Sequence, residues 1–153
     1  KIMKERNDVK FVFVGYYQKE LSGQIGRLKR SKNVKFFQNI SLSELIKLYQ
    51  RASVFILPSK YEAFARVIAE AEACGCAIIS TRVGGIPEVV KDGENGYLVD
   101  YGNWGEMKER IDFLLDNPAR ANAMGKKGSK YVKNNFDTRI VVKKLAGIYE
   151  GLA

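Results

Sequence analysis

The sequence predicts an α/β fold: a Rossmann-like parallel sheet with helices on both faces. Three observations predict it. Short, mostly apolar runs recur at Phe11–Val14, Val34–Phe37, Val54–Leu57 and Ala77–Thr81, with helix-like stretches between them. Runs that are apolar throughout, rather than alternating, mark strands covered on both faces, as in parallel sheets. Two of the runs close on residues that stop a strand and turn the chain, Gly15 and Pro58-Ser59. Strand, helix and strand in repetition read as right-handed crossovers between parallel neighbours.

In chain order, Ile2 to Asn7 reads as the tail of a helix. Lys10 to Gly15 is a strand closed by glycine, either the opening of a ligand-side turn or a plain tight turn. Lys19 to Lys32 is a polar helix with Leu21, Ile25 and Leu28 on one side, weakened by Gly23 and Gly26. After the strand Val34 to Phe37, Ser41 and Glu44 form a capping box for a helix from Leu42 to about Arg51. Its buried face is Leu45, Ile46, Leu48 and Tyr49. The strand Ser53 to Leu57 leads through a loop, Ser59 to Phe64, into a helix from Ala65 to Ala73. Gly75 ends that helix where a left-handed residue is wanted. Ala77 to Thr81 is the next strand, Gly84-Gly85 a turn, and Pro87 a first-turn proline of a short helix. Asp92-Gly93 and Asn95-Gly96 are turn pairs before a last strand, Tyr97 to Val99. The remainder is helical: Trp104 to Leu115, then Ala119 to Asn134 capped by Asn117-Pro118, then a closing helix capped by Asp137. About five strands are expected in one sheet.

At 153 residues, 46% hydrophobic and 28% charged, the chain suits one globular domain with a sizeable core. No apolar run reaches the roughly 20 residues that span a bilayer, and no signal peptide is visible. The chain opens on Lys1, which reads as part of a longer protein. It has no histidine, which excludes a histidine general base and a Ser-His-Asp triad built from these residues. Cys74 and Cys76, its two cysteines, are too close for a disulfide framework and read as small apolar filling. The net charge of +9 is uneven: residues 1–50 carry +7, residues 51–100 carry −2 and residues 101–153 carry +4. The densest basic run, Arg27, Lys29, Arg30, Lys32 and Lys35, has no aromatic residues interleaved with its charges. It reads as a solvated helix end rather than a nucleic-acid platform.

The acidic middle of the chain holds the candidate chemistry. Glu62 lies in a loop at the carboxyl end of a strand, and Glu70 lies eight residues on, inside the following helix. Ligands bind at such edges, where a helix N-terminus offers free N–H groups and partial positive charge. A phosphate placed there meets the backbone of Phe64 to Val67, and Glu70 can reach a group attached to it. By spacing alone, the favoured reading is that Glu62 is a solvated loop acid and Glu70 a solvated helix acid.

The ordered set Pro58-Ser59, Glu62 with Glu70, Thr81, Gly84-Gly85-Ile86-Pro87-Glu88 and Asp92-Gly93-Glu94-Asn95-Gly96 resembles the signature of the family-4 retaining glycosyltransferases. These include the glycogen and sucrose synthase relatives and have the two-domain GT-B fold. The resemblance implies that residues 1–153 are the C-terminal nucleotide-sugar-binding domain, without its first strand and without the N-terminal acceptor domain. It implies transfer of a sugar from a nucleoside-diphosphate sugar, UDP- or GDP-linked, with retention of anomeric configuration and no bound metal or other cofactor. Glu62 would be the catalytic-site acid on the donor sugar, and Glu70 would accept hydrogen bonds from both ribose hydroxyls, as a two-oxygen acceptor can. The backbone of Phe64, Ala65, Arg66 and Val67 would lie against sugar and diphosphate. Gly15 would open a ligand-side turn, and Phe37 to Asn39, including Phe37 and Asn39 as contacts, would lie near the base. Ala63-Phe64-Ala65 stands where many relatives carry Gly-Phe-Gly, and Gln38 where many carry glycine. The implied partners are the nucleotide sugar and a sugar or lipid-linked acceptor, with no nucleic acid. The implied location is cytoplasmic, with peripheral contact at the inner face of the membrane as a variant. An epimerase of the same architecture and a non-catalytic basic module for nucleic acid or anionic membrane are the rival readings. The isolated chain is expected to bind nucleotide weakly and transfer no sugar.

Overall fold

A computed structural model describes residues 2–16 and 19–152. The chain divides into two compact units, Lys1–Leu45 and Ile46–Ala153. In the first unit, helix α1 (Ile2–Glu5) precedes strand β1 (Phe11–Val14), helix α2 (Ser22–Lys29), strand β2 (Val34–Phe37) and the start of helix α3 (Leu42–Arg51). β1 and β2 pair in parallel, Phe11 opposite Val34 and Val14 opposite Phe37. Phe13 and Phe36, partners in this register, stack with centroids 4.7 Å apart. The polar helix expected from Lys19 to Lys32 is shorter than that. A 3-10 turn, Lys19–Leu21, leads into the eight residues of α2, which buries none of its side chains. With two glycines and no buried face, propensity alone cannot extend it. The capping box is formed: the Ser41 N–H donates to Glu44 Oε2 at 2.8 Å, and the Glu44 N–H donates to Ser41 Oγ at 3.3 Å.

The second unit holds the rest of α3, then β3 (Val54–Leu57), α4 (Arg66–Ala73), β4 (Ala77–Thr81), α5 (Ile86–Val89), β5 (Gly96–Val99), α6 (Trp104–Asp116), α7 (Pro118–Asn135) and α8 (Thr138–Glu150). Its three strands form a parallel sheet in the order β3-β4-β5, Leu57 opposite Ser80 and Ile78 opposite Gly96. All five residues of the central β4 are buried. α4, α6 and α7 pack against this sheet, and α4 packs along α7. Ile68, Ile78, Ile79, Ile86, Val89, Leu114 and Met124 are fully or almost fully buried and make up most of the core. Cys76 is buried and free, and its thiol donates to the Tyr49 carbonyl at 3.1 Å, as small filling at a helix-to-strand corner should.

The parallel α/β expectation holds, and the described residues form five parallel strands. Ladders join β1 to β2 in the first unit and β3 to β4 to β5 in the second. Apolar runs reveal that strands exist and that crossovers connect them. They do not reveal which edges bond. Asn117 also departs from expectation. Its side chain caps no N–H of α7 and instead donates to the Phe113 carbonyl at 2.8 Å, closing α6. A residue shared by two helix ends has one side chain, and here the preceding carbonyls take it. Asp137 does cap α8, accepting from the Arg139 N–H at 2.9 Å. The apolar side of that helix is exposed, with Val142 and Ile148 each more than half accessible.

Candidate functional site: the Glu62 loop and the N-terminus of α4

The site is built from two loops at the carboxyl ends of β3 and β4. Side chains of β4 pin the first loop. Ser80 Oγ donates to the Leu57 carbonyl at 2.6 Å, and Thr81 Oγ1 donates to the Ser59 carbonyl at 2.5 Å. Both hydroxyls are fully buried, so each must find an acceptor, and the acceptors are those that place the start of the Glu62 loop. The second loop then presses on the first. The Gly85 N–H donates to the Ala63 carbonyl at 3.0 Å. A Cβ on Gly84 would sit 1.6 Å from the Glu62 carbonyl oxygen, and Gly84 itself has φ +51°. Glycine is therefore required at position 84 twice over, for its left-handed backbone and for the close approach.

Ala65 is the junction between loop and helix. It has φ 57° and ψ 54°, left-handed, although it carries a Cβ and is 2% exposed. An L-residue there costs about 1–2 kcal/mol relative to glycine. The sequence comparison with glycine-bearing relatives anticipated a restriction at this position. The structure shows the alanine adopting the glycine conformation. Its N–H donates to Glu62 Oε1 at 3.2 Å, so the half-buried Glu62 carboxylate lies at the entrance to α4. That location suits a negative charge, because the helix N-terminus carries unpaired N–H groups. Among the described residues, the N–H groups of Arg66 and Val67 have no protein acceptor. One departure from expectation follows: the Ala65 N–H is occupied by Glu62 itself, which leaves those of Arg66 and Val67 as the unpaired donors of this helix end.

Glu70 lies one turn further, with Oε1 3.3 Å from Nε of the exposed Arg66. Its charge reaches two neighbours. Burial raises the Tyr49 hydroxyl to about 12 and also raises the Cys74 thiol, and in both cases Glu70 adds to the effect. Phe64 meets Phe136 edge-to-face at 5.3 Å, and Phe136 meets Tyr131 at 5.9 Å, which ties the loop to the end of α7. Glu62, Phe64, Ala65, Arg66, Val67 and Glu70 thus share one continuous loop and helix.

Gly15, Phe37 and Asn39 belong to the first unit, at the carboxyl ends of β1 and β2. Gly15 has φ +128°, and its N–H donates to the Phe37 carbonyl at 3.0 Å. Asn39 is left-handed, with φ 53°, and its side-chain oxygen accepts from the Tyr16 hydroxyl. These three residues are brought together with one another.

Sequence reasoning missed two features. The Phe64–Phe136–Tyr131 cluster joins residues some 70 positions apart, and no local pattern announces it. Glu72 had a signal. Ile68, Ala71 and Glu72 follow helical spacing, so the acid falls on the buried face of α4. A separate cleft of about 270 Å³ lies between Lys91, Glu94 and Asn95 and the α7 residues Lys127, Lys130 and Tyr131. Neither Glu62 nor Glu70 lines it.

Known proteins share this fold. The chain is 33% identical over 159 residues to the spore coat protein SA of Bacillus subtilis, covering 97% of this chain and 42% of that protein. Sucrose-phosphate synthase from Thermosynechococcus elongatus superposes with a TM-score of 0.86 at 27% identity, covering 98% of this chain and 40% of that one. Anabaena HepE, solved in complex with UDP, superposes with a TM-score of 0.87 at 24% identity, covering 98% and 43%, a likeness of fold. The chain therefore spans less than half the length of these relatives. Residues 1–131 match the family described as glycosyl transferases group 1, and the chain belongs to that family.

Proposed function

We propose that this chain is the donor-binding part of a glycosyltransferase that moves a sugar from a nucleoside-diphosphate sugar to an acceptor with retention of configuration. The observation that carries the reading is the Glu62 loop. A carboxylate, two unpaired N–H groups and a second carboxylate follow one another along one helix entrance, held by a left-handed Ala65. The diphosphate would lie at the N–H groups of Arg66 and Val67, where the helix end stabilises the charge that grows on the leaving group. The Arg66 side chain, 86% exposed, can swing from Glu70 to that phosphate, because an exposed i, i+4 pair holds it by only about 0.3–0.5 kcal/mol. Glu70 would then be free to accept both ribose hydroxyls. Glu62 would use the oxygen not engaged with Ala65 to accept a donor-sugar hydroxyl. Gly15, Phe37 and Asn39 are proposed as nucleoside contacts.

The proposal assigns charge stabilisation to the helix end and uses no bound metal. It places the acceptor, a sugar or lipid-linked group, on parts of the protein beyond these residues, and the reaction in the cytoplasm, with peripheral membrane contact as a variant. No helix among the described residues is long and apolar enough to cross a membrane. UDP in a structural neighbour is the support for a nucleotide at this fold. The test is calorimetric titration of the chain with UDP, GDP and their glucose conjugates at pH 7, with Glu70→Ala beside it. Binding of a nucleoside diphosphate that weakens at least about tenfold in the variant is expected. Equal binding in both proteins would remove α4 from the site.

A further inference from the structure

Glu72 is the one acid of α4 that the proposed reaction does not use, and its surroundings are unusual. The residue is fully buried, and neither carboxylate oxygen has a hydrogen-bond partner. α7 closes on it: a Cβ on Gly128 would lie 3.1 Å from Glu72 Cγ, Cδ and Oε1, so any larger residue there would push the Glu72 side chain aside by a few tenths of an ångström. No ionisable group faces it from the elements packed on α4. On α7, Arg120, Lys126, Lys127, Lys130 and Lys133 are all exposed, and the hydroxyl of the half-buried Tyr131 donates to the Glu88 carbonyl. On α5, Glu88 is exposed, and β3 and β4 carry no ionisable side chain. On α4 itself, Arg66 and Glu70 pair with each other, and the nearby Cys74 and Cys76 thiols are raised by burial. Burial alone therefore lifts the Glu72 carboxyl, to about 8.

Two residues advance a helix by about 200°. Glu72 thus lies behind Glu70, on the face that α7 covers. We propose that Glu72 is a positioning residue for Glu70: its protonated carboxyl seats α4 against α7, and loss of that proton unseats the helix and weakens nucleotide binding. The inference rests on the donor-site reading above. A carboxylate ionised in this position must be rehydrated or remain an uncompensated buried charge. The available route to water is a shift of α4 away from Gly128, which moves the helix entrance and Glu70 with it. At neutral pH the seat is intact. As pH rises toward about 8 each unit opposes it by up to tenfold, and above that the effect levels off.

The test compares the chain with Glu72→Gln and Glu72→Met. UDP and GDP are titrated at pH 7 and 9.5, and the readout is the ratio of affinities at the two pH values. Circular dichroism melts at both pH values establish that each protein is folded. The unsubstituted chain is expected to lose affinity by up to about tenfold between pH 7 and 9.5, while both variants hold theirs within about twofold. The ratio cancels any uniform loss of binding in a variant, and if the glutamine protein does not fold, the methionine protein alone decides. A fall of the same size in all folded proteins overturns the role of Glu72 and leaves the donor site standing. Absence of binding by either nucleotide at pH 7 overturns the donor-site reading and this inference together.

Discussion

Replacing Gly84 with alanine tests whether the glycine pair after β4 builds the Glu62 loop. The added Cβ would lie 1.6 Å from the Glu62 carbonyl oxygen, where an ordinary contact needs more than 3 Å, and the atom it meets is backbone. The loop, or the Gly84 turn, must therefore move by well over an ångström. Three terms add. Alanine at φ +51° costs about 1–2 kcal/mol. Loss of the Gly85 N–H bond to the Ala63 carbonyl costs about 1 kcal/mol, as hydrogen bonds of this kind do. Displacing Glu62 also strains its bond to the Ala65 N–H, which helps hold the left-handed junction. A total near 3 kcal/mol corresponds to a melting temperature lower by about 6–12 °C for a chain of this size. Urea denaturation at pH 7 gives the free energy, and calorimetric titration with UDP and GDP gives the affinity. Both should fall, and affinity should fall further than stability alone accounts for, because Glu62 and the Arg66 and Val67 N–H groups shift together. A variant that melts within 2 °C of the unsubstituted chain and binds equally well would mean that the loop does not rest on Gly84.

Glu70→Ala should leave the melting temperature nearly unchanged, since only an exposed pair with Arg66 is lost, while nucleotide affinity drops at least about tenfold. Calorimetry beside a thermal melt separates the two effects. Thr81→Val should cost about 1–3 kcal/mol in urea denaturation, because it removes the 2.5 Å bond that satisfies the Ser59 carbonyl and leaves the volume unchanged. Glu72→Met should raise stability at pH 7 by about 2–3 kcal/mol. The folded chain keeps a proton between its usual 4.5 and about 8 that the unfolded chain has already released, at about 1.4 kcal/mol per pH unit. For the same reason the unsubstituted chain should lose stability as pH rises through that window and level off above it, whereas Glu72→Met should show no such slope.

The strands were legible because continuous apolar runs bounded by Gly and Pro leave few alternatives. β2, β4 and α3 begin and end where the residues indicate. Pairing was not legible, since nothing in Val34–Phe37 or Val54–Leu57 says whether the two strands share a ladder. The Glu62 loop could be placed at a strand end from Pro58 and the run before it. Its geometry could not be read, because it depends on contacts across 22 residues, from Thr81 to Ser59 and from Gly84 to Glu62. Ala65 is instructive here. Propensity argues against a left-handed alanine, and tertiary contact overrides it: a buried methyl and a hydrogen bond donated to Glu62 hold what the isolated residue would avoid. Glu72 belongs to no motif, and only its helical phase, shared with Ile68 and Ala71, puts it inside.

Three departures from local preference meet on the eleven residues from Glu62 to Glu72: a left-handed alanine, a carbonyl that tolerates no Cβ opposite it, and a carboxyl buried without a partner. Each lowers stability, and none is needed to close the core, since Ile68 and Ala71 on the same helix do that. Natural chains keep such costs where function requires them. The first two departures have a direct purpose under the proposed function, because together they aim Glu62 and the unpaired N–H groups at one point. The third lies on the opposite side of the same helix, where it cannot touch a nucleotide. A residue that is costly, out of reach of the ligand and joined to it by one rigid turn of helix can influence binding only through the position of that helix. The pH ratio in Glu72→Gln and Glu72→Met measures that influence, because substitution removes the proton while the sheet, α7 and the Glu62 loop remain.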